Sequence, residues 1–164
     1  MRTNSKPNPS RGLLAGAIGG LIASFVMSQV HSTLQKVESS GKQGEEDSTV
    51  RTASAISQRI FHHELTPQEK QVAGPAVHYA FGSILAAIYG AAVETVPLVR
   101  IGWGLPFGTA VWLGAHVITV PALGLSEGIT KSSSRQETVE LGAHLVYGAA
   151  VEGIRRLIRT AVLY

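Results

Sequence analysis

Cysteine is absent from all 164 residues, which excludes a disulfide framework and thiolate metal sites and leaves the redox compartment open. Charge is scarce as well: 15% of residues are Asp, Glu, Lys or Arg against 45% hydrophobic ones, an apolar balance for a soluble domain. Aromatic residues make up only 6%. The apolar content is therefore aliphatic and small, and with 18 glycines it suits helices that approach one another closely rather than a bulky aqueous core. Sequence signatures of catalysis are also missing. There is no P-loop, G-x-S-x-G, dinucleotide fingerprint or H-E-x-x-H, and "GWGLPFG" at 102–108 lacks the setting of a phosphate loop and reads as a turn before a helix. A non-enzymatic protein without cofactor is expected.

What is present are long windows without formal charge. Mean hydropathy is +0.17, and Gly12 to Gln35, Gln71 to Val93 and Ile101 to Ser126 carry no Asp, Glu, Lys or Arg. Crossing a hydrocarbon core of about 30 Å at about 1.5 Å per residue takes about 20 residues, so three spans follow. A fourth window, Thr138 to Ile154, is interrupted by Glu140 and Glu152 and runs into "RRLIR". The expected fold is all-α: an integral membrane bundle of four transmembrane helices over about 12–35, 75–97, 103–125 and 138–158. Residues 1–11 form a polar tail, and 12–164 a single membrane domain. The first apolar run exceeds a signal h-region and lacks an A-x-A site, so it is expected to stay as a helix. Pro121 is expected to bend or end the third helix.

The loop 36–74 opens with the flexible linker "SSGKQGEED". An interfacial amphipathic helix over about 48–63 follows, with Val50, Ala53, Ile56, Ile60 and Phe61 at helical spacing. "TPQE" at 66–69 is a capping-box pattern, and Gly74-Pro75 is expected to break the helix at the membrane. The net charge of +3 does not imply nucleic acid, because the basic residues sit at span ends. Arg2, Lys6 and Arg11 precede the first span, Arg100 lies between the second and third, and Arg155, Arg156 and Arg159 close the fourth. Both termini are therefore expected in the cytoplasm, with the lipid bilayer as partner and homo-oligomerisation open.

Residues four apart share a helix face. Gly12, Gly16, Gly20, Ser24 and Ser28 form one row of small residues; His78, Gly82, Ala86, Gly90 and Glu94 form a second; Glu140, His144, Gly148, Glu152 and Arg156 form a third. Such rows face protein rather than lipid. "YGAAVE" occurs at 89–94 and at 147–152, but "HYAFG" and "HLVYG" align at a different offset, so shared packing constraints explain the likeness better than a duplication. Glu152 has Arg155 and Arg156 at i+3 and i+4, and Glu94 can share that cluster, a structural reading placed ahead of a proton-carrying one.

Toward the opposite side, His31, His78, Glu140, His144 and the deeper His116 project into one half of the bundle. Inter-helix hydrogen bonding is the plain reading, and response to external acid the sharper one. Metal binding ranks below both, and no metal is expected. His62 and His63 are expected at the interface.

The stretches "GPAVHYAFGSILAAIYGAAVE", "GLPFGTAVWLGAHVITVPALGLS" and "LGAHLVYGAAVEGIRRLIR" resemble the YagU-like family of uncharacterised bacterial inner-membrane proteins, over Gly74 to Arg159 and more loosely the first helix. His78, Gly108, His116, Pro121, His144, Glu152 and Arg155 match family-like positions. The resemblance implies an integral cytoplasmic-membrane protein with a link to acid resistance and no assigned catalysis. This chain departs from it in a longer polar linker and the surface helix. The expected function is a structural, sensing or binding component of the envelope or acid-stress response. The alternative is a small transporter or channel subunit with protons or cations moving along a His/Glu-lined path.

Overall fold

The computed structural model describes residues 7–38, 48–115 and 134–161. Every regular element among them is helical: α1 (Pro9–Glu38), α2 (Ser48–Ile56), α3 (Pro67–Thr95), α4 (Leu105–Trp112) and α5 (Ser134–Ala161). A π-type turn at Ser57–Phe61 extends α2, and a 3-10 turn at Pro97–Arg100 follows α3. The linker 39–47, His116, Pro121 and the far part of the expected third span lie outside the described residues.

Small side chains set how these helices meet. A Cβ on Gly20 would come within 2.6 Å of the Ala86 methyl carbon and 2.7 Å of the Gly82 carbonyl oxygen, while one on Gly12 or Gly16 would overlap the carbonyls of Gly90 or Ala86. Positions that ascend along α1 thus meet positions that descend along α3, and the pair is antiparallel. His31 of α1 meets Glu140 early in α5, and Gly19 lies beside Val151 later in it, so α1 and α5 are antiparallel as well. Gly104 and Gly108 meet Gly148 and His144, which seats α4 against α5 in the same sense. The first turn of α1 and the last turns of α3 and α5 consequently share one end of the bundle.

Polarity runs opposite to that of a water-soluble domain. Ala15, Ala23, Ala86 and Ala143 are buried together with Ser24, His144, Glu152 and Arg155, while Leu13, Leu21, Phe25, Phe81, Ile84 and Ile88 are exposed. Water-facing surfaces of monomers rarely carry contiguous aliphatic stripes of this kind. By length and composition, α1 and α3 can each cross a membrane, Leu105–Ala115 is a shorter apolar helix, and α5 is not apolar enough to meet the same test.

Two local expectations change. α3 is not broken at Gly74-Pro75: it runs 29 residues with Pro75 inside. Proline removes one intrahelical donor there, but Gly74 is buried against Val50 of α2, and that packing fixes the turn. The apolar stripe of α2 also divides. Ala53 is buried and Val50 packs on α3, whereas Ile56, Ile60 and Phe61 stay exposed. The capping box is as expected, since Thr66 Oγ1 accepts from the Glu69 N–H (3.3 Å) and the Glu69 carboxylate accepts from the Thr66 N–H (2.7 Å). Those bonds, with one from the exposed His63 ring, hold Glu69 down at about 2. The helix measures about 43 Å at about 1.5 Å per residue, so its first turns, Glu69 among them, extend past a core of about 30 Å.

Candidate functional site

The shared end of the bundle holds an ion network assembled from four segments. Glu152, with 0% exposure, accepts from Arg155 Nε (2.9 Å) and Nη2 (3.0 Å), from Arg156 Nε, and from the Tyr89 hydroxyl of α3 (3.1 Å). Glu94, at the end of α3, takes a two-pronged contact from Arg159 (2.8 and 2.9 Å) and accepts from the Asn8 N–H ahead of α1 (3.1 Å). Arg155 Nη1 lies 3.8 Å from Glu94 and links the two carboxylates. Arg156 also lies over the Trp103 ring, 4.3 Å from its centroid, a cation–π contact.

A left-handed turn brings Trp103 there. Gly102 and Gly104 have φ of +80° and Trp103 +56°, and a Cβ on Gly104 would overlap the Gly148 carbonyl, so glycine is required both for the conformation and for the approach. Among the described residues, three guanidinium groups face two carboxylates in this network. Each Glu152 oxygen accepts from two donors, and a carboxylate so occupied is a poor base. What the arrangement does is tie α1, α3, the 102–104 turn and α5 into one unit, since a buried pair resists losing either member.

The opposite end carries a second polar group. His31 Nε2 lies 2.6 Å from Glu140 Oε1, joining α1 to α5. The buried His144 ring donates from Nδ1 to the Glu140 backbone carbonyl (2.8 Å). Glu140 thus meets His31 across the helices through its carboxylate and His144 through its backbone carbonyl. His78 Nε2 donates to the Ser24 carbonyl (3.3 Å), and the Tyr147 hydroxyl donates to the Gly82 carbonyl (2.6 Å), both between α-helices. His63 pairs with Glu69 at 3.1 Å, and His62, at φ +52°, ends the π-type turn. Among the described residues no three His, Asp or Glu side chains converge as a metal site.

The sequence-derived residues therefore separate into two places. Glu94 and Glu152 meet with Arg155, Arg156 and Arg159 at one end, and Glu140, His144 and His78 lie toward the other with His31. Gly12, Gly16, Gly20, Gly82 and Gly90 line the α1–α3 contact and Gly148 the α4–α5 contact. His116 is outside the described residues. Sequence reasoning missed Tyr89, Trp103, Tyr147 and Arg159 as partners. The contact of Tyr89 with Glu152 depends on how one helix is rotated against another, which spacing does not encode, whereas Arg159 lies seven residues after Glu152, on nearly the same face of α5.

Residues 21–153 match the model of a family described as proteins of unknown function (DUF1440). The "Inner membrane protein YagU" of Escherichia coli (strain K12) is 28% identical over 87 residues, 53% of this chain and 43% of that protein. The chain thus aligns with less than half the length of that curated relative. No solved structure matches.

Proposed function

The chain belongs to the DUF1440 family of proteins of unknown function, and from that premise we propose that it is an integral inner-membrane protein of four spans, acting as an acid-responsive structural component of the envelope and not as an enzyme. The observation that carries the membrane part is the reversed polarity: Leu13, Phe25, Phe81, Ile84 and Ile88 face outward while Glu152 and Arg155 are enclosed. Ionisable groups are expensive in a bilayer unless they face the bundle interior and pair, and here they do both. The name of the E. coli relative, an inner membrane protein, agrees. In this reading α5 is the fourth span, with its charges turned inward or gathered at its ends, and both termini lie in the cytoplasm beside the arginine cluster.

The responsive element is the His31–Glu140 contact. Protonation of the ring would set a cation beside a carboxylate and tighten the link between α1 and α5. The transporter alternative gains less support, because carbonyls of Ala86 and Gly90 occupy the space that a Cβ on Gly16 or Gly12 would need, which leaves no passage along that row. The test is thermal unfolding in detergent, followed from about pH 7.5 down to about 5.5, across the range where histidine ordinarily titrates. Wild type should gain stability relative to His31→Gln and Glu140→Gln as pH falls. Parallel curves for all three would remove the acid response. A proton leak in vesicles that depends on His144 would restore the transporter.

A further inference from the structure

An apolar cleft of about 510 Å³ opens where α3 turns into α4, walled by Tyr89, Leu98, Val99, Ile101, Pro106 and Phe107. Its floor is rigid: Phe107 stacks on Tyr89 with ring centroids 4.3 Å apart, and the Tyr89 hydroxyl is fastened to Glu152. The rim is basic. Arg100 stands between two of the wall residues, is exposed, and has no ion-pair partner among the described residues. Arg156, 38% exposed, is held through Nε by the same Glu152 that fastens Tyr89, and lies over the Trp103 ring. Trp103, itself 60% exposed, belongs at a membrane–water interface by its chemistry. An open apolar slot with an exposed cation between two of its wall residues matches an amphiphile with a negative head.

We infer that this cleft binds an anionic glycerophospholipid, with an acyl chain lying against Leu98, Ile101 and Phe107 and the phosphate at Arg100. The inference rests on the membrane reading above and adds to it a specific lipid site. Aliphatic walls alone would accept any acyl chain. Charge complementarity selects the anionic head, since each basic residue near a membrane surface favours anionic lipid about fivefold. The network behind the wall explains why the cleft keeps its form: Glu152 fixes Tyr89, on which Phe107 stacks.

The experiment uses the full chain in a neutral detergent, with bound lipid measured by native mass spectrometry during titration with phosphatidylglycerol, phosphatidylcholine or soluble glycerol phosphate. Phosphatidylglycerol should bind more tightly than phosphatidylcholine. Arg100→Gln, at an exposed position, should reduce that preference about fivefold and leave phosphatidylcholine unchanged. Ala110→Trp, which fills the exposed cleft wall, should weaken both lipids without loss of melting temperature. Equal affinity of wild type for the two lipids overturns the site. So does an equal loss of preference in Arg59→Gln, which removes the same charge from the α2 segment, because the effect would then be net charge alone. Glycerol phosphate binding as tightly as the phospholipid would also overturn it, since the cleft would contribute nothing. A chain that leaves the membrane on alkaline extraction refutes the membrane reading, whereas a membrane-embedded chain without lipid preference refutes only this inference.

Discussion

Replacing Gly16 by alanine adds a single methyl group at a place where no neighbour can give way. The new carbon would overlap the Ala86 carbonyl oxygen and stand 2.9 Å from its carbon and 3.0 Å from the Ala87 Cα, all of them backbone atoms of α3. Comfortable contact between carbons begins near about 3.5 Å. Relief therefore requires α1 and α3 to separate by something over about half an ångström along their whole contact, because both are stiff rods. Overpacking of this sort costs about 1–3 kcal/mol, and alanine returns about 0.8–1 kcal/mol as the better helix former. Because the overlap is with backbone that cannot turn aside, the upper part of that range, about 2–3 kcal/mol, applies, and the net expectation is a loss of roughly 1–2 kcal/mol, or a few degrees in melting temperature.

Gly153 provides the internal control, since nothing stands within 4 Å of the carbon that alanine would place there. Gly153→Ala should therefore show the propensity gain alone and unfold higher than wild type by up to about 1 kcal/mol. Thermal unfolding in detergent, monitored by circular dichroism, distinguishes the two signs. If Gly16→Ala is as stable as wild type or more so, the close approach of α1 and α3 is wrong, and with it the packing argument for every glycine in the row.

Two further outcomes can be stated briefly. Glu152→Ala leaves Arg155 buried without its main partner and should lose about 3–5 kcal/mol, while Glu152→Ala with Arg155→Ala should lose less than the sum of the single changes in a double-mutant cycle; additive losses would mean that the pair is not coupled. Reporter fusions at residues 1 and 164 should give the same compartment, and opposite compartments would show that an odd number of helices crosses the membrane.

Much of this fold was legible because a helix converts spacing into a face. Rows of small residues four apart named the contact surfaces of α1 and α3 before their partners were known, and i+3 and i+4 spacing paired Glu152 with Arg155 and Arg156. What stayed hidden depended on the rotation and offset of one helix against another, which no spacing within a single helix encodes. Glu140 and His144 share a row, yet the carboxylate reaches His31 on α1 and the ring takes a backbone carbonyl. Arg156 on Trp103 was likewise unreadable, because the left-handed turn at Gly102 to Gly104 decides where the indole lies. Pro75 was misread for a related reason: proline is a local helix breaker, but the buried contact of Gly74 with Val50 is not local.

The repeated hexapeptide shows why small residues and charges alternate in such a chain. Gly90 of the first copy and Gly12 would each, with an added Cβ, overlap the other's carbonyl, and Gly148 of the second copy stands in the same reciprocal relation to Gly104. One turn away, Gly16 meets Ala86, and Gly108 meets His144. Both copies thus pack one helix against an antiparallel neighbour through the same positions, and both then end in a glutamate at the same end of the bundle. The glutamates part company there: Glu94 binds Arg159 and the start of α1, whereas Glu152 binds Arg155, Arg156 and the tyrosine of the other copy. Close glycine contacts leave little apolar surface buried per residue, so they contribute little on their own. A paired carboxylate at the end of each contact adds directional bonds that resist sliding. The hydroxyl of Tyr89 on the carboxylate of Glu152 then joins the two helix pairs, so that neither can shift without parting a buried charge from its partners.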